Sequence, residues 1–323
     1  MFSKWFPGRP PGFRKAELVT APPTHSADVH RLRTGMLLAI GGTFFFALKS
    51  IVIKSAYSTG ADASQVLTAR MLLSAPFFLA LLAREKFSSP KPVAFLDIAK
   101  AVGLGFFGYY LASLLDMEGL ELISAQLERL TLFTYPTMVA CLAWFFLKEH
   151  LGWQVIASLV TCYLGICIMY LQEASWADSQ SVMTGIFLVL GSALSYSLYV
   201  VCAKPIITRI GSVQFTCYAM LSSSFLVVLH YTVIKSSTFD SIKGTVWTHG
   251  LFLAFVCTVI PSFMVNESIH RIGATRTTIV GSVGPVLTML LAVLILGEPT
   301  SIWHAIGMVI VIAGVSLVSI KKK

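Results

Sequence analysis

Four ionisable residues sit where a charge is expensive. Lys49, Arg70, Glu128 and Arg129 all fall inside long apolar runs. At such depth a charge costs about 2.5–3.5 kcal/mol on insertion scales and needs a partner or water. Counted from the same end of their runs, Lys49 and Arg129 are about seven residues in and Arg70 about five, with Glu128 in the same layer. At about 1.5 Å per residue they share one stratum, roughly 8–11 Å below the hydrocarbon edge. Glu128 and Arg129 are adjacent, so on a helix they project about 100° apart and must find partners on other helices. Arg70 or Lys49 is the expected partner of Glu128, while Tyr135 shares its face. Two readings stand. The cluster is an ion pair locking helices together, or it is the polar wall of a cavity whose carboxylate exchanges a proton. Three bases against one acid leave an excess of up to two positive charges, which favours a ligand with a carboxylate or phosphate.

No enzyme motif accompanies these residues. There is no GxxxxGK phosphate loop, no HExxH and no GxSxG elbow, so neither catalysis nor a cofactor is expected. The six cysteines lie within apolar runs without a CxxC pair and read as packing residues, not metal ligands. The seven histidines fall in the N-terminal tail or near the ends of runs, where an interfacial position is expected, and Lys54 and Lys100 are placed to snorkel to headgroups. Tyr109, Tyr110 and Tyr135 either stack a flat ligand or pack the core.

The elements that must carry these side chains are set by composition. Of 323 residues, 56% are hydrophobic and only 12% charged, with a mean hydropathy of +0.78, which is the composition of a polytopic membrane protein. The net charge of +9 is spread between apolar runs instead of forming a basic patch, so nucleic acid is not an expected partner. Ten runs are long enough to span, near 35–56, 65–83, 95–116, 122–147, 152–171, 183–203, 213–234, 248–269, 275–297 and 302–320. Lys and Arg divide 17 against 2 between the two sets of loops, which puts both termini in the cytoplasm. Residues 1–33 read as a basic, Pro-rich cytoplasmic tail, a solvated leader or a weak contact for anionic lipid; they lack the apolar core of a signal peptide.

The two halves repeat. Thr34, Gly35, Gly41, Leu48 and Lys54 align with Thr184, Gly185, Gly191, Leu198 and Lys204, and Pro136, Glu149 and Gly165 recur 149 residues later as Pro285, Glu298 and Gly314. Five spans per half is an odd number, so the second half enters the bilayer from the opposite side. This predicts an all-α integral membrane protein of ten transmembrane helices as two inverted five-helix repeats, 34–172 and 183–320. Such halves can rock about a midplane site. Glu118 and Glu267 match across the repeat as interfacial or gate positions. Glu149 and Glu298 are expected to serve the N-terminus of the following span, with Pro299 in its first turn. Gly103, Gly108, the Thr277-to-Gly281 step and Gly284–Pro285 permit close helix approach or a hinge.

Two five-span repeats, each with Pro, a small-apolar helix and an L-x-E end, resemble the EamA type of the drug/metabolite transporter superfamily. LKEHLGWQ (147–154), LGEPTSIW (296–303) and Arg70 within LTARMLLSAPFF match it best, and the resemblance covers about 34 to 320. It implies a carrier of small metabolites in a bacterial inner membrane, an exporter with proton or exchange coupling. The alternative is a non-transporting sensor or scaffold on the same fold. Lys49, Arg70, Glu128, Arg129, Tyr135 and Gly284 are the residues expected to bind or couple. The charged ERLTLFTYP of the first repeat faces TTIVGSVGP in the second, so the halves of the cavity are chemically unequal.

Overall fold

The computed structural model describes residues 25–88, 93–147, 153–272, 277, 280, 281 and 283–319. Lys148, Glu149, His150, Arg276, the three closing lysines and the tail up to residue 24 lie outside the described residues. Every regular element among the described residues is helical. In order they are α1 (His25–Tyr57), α2 (Ala63–Ser88), α3 (Phe95–Leu122), α4 (Ala125–Leu132), α5 (Tyr135–Leu147), α6 (Trp153–Glu173), α7 (Ser179–Ile210) and α8 (Ser212–Ile234). Then come α9 (the contiguous stretches Gly244–Ala254, Phe255–Val259 and Ile260–Ile272), α10 (Gly284–Leu296) and α11 (Ile302–Ser319). Seven stretches, with α4 and α5 counted together, are long and apolar enough to cross a membrane, and three shorter apolar helices follow. Large apolar side chains face outward, Phe145 at 70%, Phe187 at 66% and Leu294 at 79% exposure, as they do when the surroundings are lipid.

Several helices overrun the apolar runs that announce them. α1 begins at His25, so the described part of the expected tail is already helix; α3 continues to Leu122 and α7 to Ile210. Hydropathy marks the hydrocarbon, but helical hydrogen bonding continues beyond it. Local chemistry sets some of the starts. Asp62 accepts from the Gln65 N–H (2.8 Å) while Gln65 accepts from the Asp62 N–H (3.3 Å), a reciprocal cap before α2. Asp178 caps α7, and the Ser181 hydroxyl and N–H hold its carboxyl below the usual range.

Pro136 explains the break between α4 and α5. It donates no N–H and would clash with the carbonyl of Leu132, so α4 ends there and Pro136 enters the first turn of α5. Hydroxyls add hydrogen bonds around the break: Thr134 donates to Thr131 O (2.7 Å), Thr137 to Thr134 O (2.6 Å) and Ser197 to Tyr135 O (3.0 Å). Pro285 likewise stands in the first turn of α10, behind Gly284.

Packing pairs α1 with α9, α3 with α7, α2 with α8 and α6 with α11, while α10 lies against α1 and α4, and α5 against α7. Lipid is as apolar as leucine, so close van der Waals approach holds such helices together. Two crossings depend on it. A Cβ on Gly119 would stand 2.9 Å from Gly185 O, and one on Gly165 would stand 2.7 Å from Gly307 O. α3 and α9 each contain a widened π-helical stretch, Phe106–Leu111 and Phe255–Val259, and these begin 149 residues apart, the interval that separates Pro136 from Pro285.

Candidate functional site

Three helices bring the buried charges together. α1 supplies Lys49 and Ser50, α3 supplies Asp116, and α4 supplies Glu128 and Arg129. Lys49 Nζ donates to Asp116 Oδ2 at 2.5 Å, with the two side chains 14% and 3% exposed. Ser50 Oγ donates to Glu128 Oε2 at 2.7 Å, and Glu128 is 0% exposed. The carboxyl groups of Asp116 and Glu128 lie within electrostatic and hydrogen-bonding reach of each other. Arg129 points elsewhere. Its guanidinium makes no hydrogen bond or ion pair among the described residues, yet lies within electrostatic reach of Asp116, Glu128 and Tyr135. Gly284 of α10 leaves room beside it: a Cβ there would stand 3.9 Å from Arg129 Nη2 and 3.5 Å from the Thr43 methyl.

Arg70 occupies a second setting. Its Nε donates to Thr258 Oγ1 (3.2 Å), and Thr258 donates in turn to Leu253 O (2.8 Å) within the π-helical turn of α9. Its Nη1 is buried without a hydrogen-bond partner among the described residues. Tyr109, in the matching π-helical turn of α3, lies within electrostatic reach of Arg70 and shares a 3.0 Å hydrogen bond with the Tyr199 hydroxyl. From there rings continue in contact, Tyr199 to Tyr196 (centroids 5.7 Å apart) and Tyr196 to Tyr135 (5.4 Å). A chain of four tyrosines therefore joins the surroundings of Arg70 to those of Arg129. Tyr110 instead meets His230, hydroxyl to Nδ1, at 2.8 Å.

Of the expected residues, the structure unites Lys49, Glu128, Arg129, Tyr135 and Gly284, with Arg70 at the far end of the tyrosine chain. The expected partner of Glu128 is corrected. Neither Lys49 nor Arg70 hydrogen-bonds it, because Lys49 is taken by Asp116 and Arg70 by Thr258. Asp116 was legible in principle: it lies in α3 six residues before the helix ends at Leu122, much as Lys49 lies eight before Tyr57. A span drawn to stop at residue 116 hid that depth. Ser50, Tyr196 and Tyr199 carry no sequence signal of this kind. With Asp116 counted, three cations face two carboxylates, and the excess falls from two positive charges to one.

Carboxylates also gather at the helix ends beyond this layer. Glu121 accepts from the Ala63 N–H at the start of α2. Glu173 accepts from both the N–H (2.7 Å) and the hydroxyl (2.6 Å) of Ser124, the N-cap of α4, and Glu298 accepts from the next N–H, of Ala125 (2.9 Å). The expectation for Glu298 is corrected, since it serves α4 and not the span that follows it; Pro299 precedes α11 by three residues, and its carbonyl accepts from Gln126 (3.3 Å). Lys54 is half-buried within reach of Glu298, Glu173, Glu128 and Glu121 instead of snorkelling freely. His304 is buried, not interfacial, against Trp176 and Ser301. Glu267 pairs with Arg271 one turn on (2.7 Å).

The EamA-like transporter family matches residues 33–171 and again 183–320. An uncharacterized transporter of Bacillus subtilis, YcbK, is 32% identical over 292 residues, covering 87% of this chain and 91% of its own. The uncharacterized transporter sll1319 of Synechocystis is 25% identical over 316 residues, covering 89% and 94%. A crystal structure with a TM-score of 0.60 at 16% identity, over 88% of this chain and 94% of its own, shares the fold. The chain belongs to the EamA-like transporter family and is a multi-pass membrane protein.

Proposed function

We propose that this chain is a secondary transporter that moves a small metabolite by alternating access, with a substrate carboxylate or phosphate bound at Arg129. The observation that carries this reading is the Arg129 guanidinium, deep in a span beside the α4–α5 break and without a hydrogen-bond or ion-pair partner among the described residues. A cation so placed needs an anion or water, and discontinuous helices are where transporters build their sites. Tyr135 and the open side of Gly284 border the same place.

The carrier is read as ten spans in two inverted repeats, 34–172 and 183–320. Supporting this, α1 on α9 is mirrored by α7 on α3, α10 on α1 by α5 on α7, and the π-helical turns recur at the interval of the prolines. The 17-to-2 charge bias favours both termini in the cytoplasm, and the membrane is read as a bacterial inner membrane. Export, coupled to a proton or by exchange, is the favoured direction.

The test begins with an untargeted comparison of metabolites released by deletion and overexpressing cells. Flux of the compound found is then measured in proteoliposomes holding wild type or Arg129→Gln. Losing a hydrogen bond to a charged group, worth about 1.5–3 kcal/mol, should weaken an anionic substrate by roughly 10- to 150-fold. No released compound and no flux would leave the sensor or scaffold reading; a cationic substrate indifferent to Arg129→Gln would remove the anion site.

A further inference from the structure

We propose that Asp116 and Glu128 hold one proton between them, and that this proton is the coupling ion of the carrier. The inference rests on the transport reading and names the ion and the residues that bind it. Both side chains are almost wholly enclosed, Asp116 at 2% and Glu128 at 0% exposure. Each has one oxygen occupied, Asp116 Oδ2 by Lys49 and Glu128 Oε2 by Ser50. Each has its other oxygen, Asp116 Oδ1 and Glu128 Oε1, buried without a hydrogen-bond donor among the described residues. The two carboxyls lie within hydrogen-bonding reach of each other.

Two bare carboxylates within such reach and away from water repel, and two orphaned acceptors each forfeit a hydrogen bond. A single hydrogen atom resolves both. Carried on one carboxyl, it becomes the O–H donor that the other lacks, so the two groups titrate as a unit. One negative charge then remains, and Lys49 balances it. The wider field is fixed by Lys49 and Lys54 on α1, Arg70 on α2 and Arg129 on α4, with the Tyr57 hydroxyl also within reach. Arg129 favours the ionised pair. A substrate anion that neutralises Arg129 removes that support and draws the proton in, so anion and proton bind together. An exporter working this way runs on the substrate's own gradient and carries the proton out with it.

The experiment needs no substrate. Purified protein in lipid nanodiscs is titrated between about pH 5 and about pH 9, and the protonated-carboxyl C=O stretch is followed by infrared difference spectroscopy. Wild type should show one such band, equivalent to one proton. It should be absent at neutral pH from both Glu128→Gln and Asp116→Asn, since in the second Lys49 is freed to hold Glu128 ionised. Arg129→Gln, which breaks no hydrogen bond or ion pair among the described residues, should keep the band and move its titration up by about one pH unit. Wild type without the band, or a band that survives in either carboxyl variant, would overturn the proposal. An Arg129→Gln titration that does not move would overturn the linkage to the anion. These readings do not depend on flux, so a missing band with intact transport refutes the proton site alone, and an intact band without transport refutes the carrier.

Discussion

Carboxylates in two regions of this molecule meet opposite fates. At one end Glu121, Glu173 and Glu298 cap helix starts, accepting from the N–H groups of Ala63, Ser124 and Ala125. About one turn further along, Asp116 and Glu128 are each left with a buried oxygen that has no hydrogen-bond partner among the described residues. The side chains are chemically alike; the difference is the supply of donors. A helix start offers N–H groups with no intrahelical partner, and a carboxylate there is favoured by the local dipole as well. Past the first free N–H groups the backbone donors are spent on the helix, the Glu128 N–H itself bonding Ser124 O (3.0 Å), so a carboxylate there has only other side chains, a proton or a ligand to turn to. Glu298 stands between the cases: one oxygen caps Ala125, the other lacks a donor, and Lys54 lies within electrostatic reach. Satisfied carboxylates fasten this fold, and the unsatisfied pair is where the proposed proton would bind.

The largest expected effect comes from breaking the deep layer. Lys49→Met strips Asp116 of its counter-ion, and removing one partner of a buried pair costs about 3–5 kcal/mol. Thermal unfolding in detergent should show a clear fall, and adding Asp116→Leu to the same chain should restore most of it, because no lone charge is then enclosed. If Lys49→Met is no worse than a lost cap, the layer is wetter than its burial indicates and the contrast between the regions fails.

Glu173→Ala should have the next largest effect. It removes two acceptors from Ser124, and charge-assisted bonds of this kind contribute about 1.5–3 kcal/mol. The expected signature is lower thermal stability with transport per folded molecule unchanged. A transport defect at full stability would make this end a gate instead of a fastening.

How much of this was legible before folding follows the same division. The spans and the 149-residue interval could be read, because hydrocarbon thickness and repeated Pro and Gly write directly into sequence. So could the grouping of Lys49, Glu128 and Arg129. The pairing could not. Depth fixes a layer, but which of two carboxylates meets Lys49 depends on how α1 is rotated against α3 and α4, and no spacing encodes that rotation. The role of Glu298 was illegible for a related reason. It reaches Ala125, 173 residues back, and a capping acid looks the same in sequence whichever helix it caps. Asp116 was missed through helix length: α3 outlasts its apolar run, placing inside the protein an acid that hydropathy had put at the edge.

The smallest expected change in stability is at Gly284, and it probes the empty side of the comparison. Gly284 is the repeat counterpart of Tyr135, at the same interval of 149, so one half of the molecule places a ring where the other leaves a space. A Cβ would meet only the Thr43 methyl at 3.5 Å and Arg129 Nη2 at 3.9 Å, both ordinary contacts, and the residue lies in the first turn of α10. Gly284→Ala should therefore be neutral or slightly stabilising, by up to about 1 kcal/mol through reduced freedom of the unfolded chain. Gly284→Leu adds carbons that must enter the space beside Arg129. It should insert into the membrane and unfold near the wild-type temperature, yet lose transport by at least about tenfold, a cost of about 1.4 kcal/mol or more at the site. Flux in proteoliposomes, normalised to folded protein, separates the outcomes. Full transport by the leucine variant would show that nothing passes or binds beside Arg129. A leucine variant that unfolds at much lower temperature would show that the space is closed by packing.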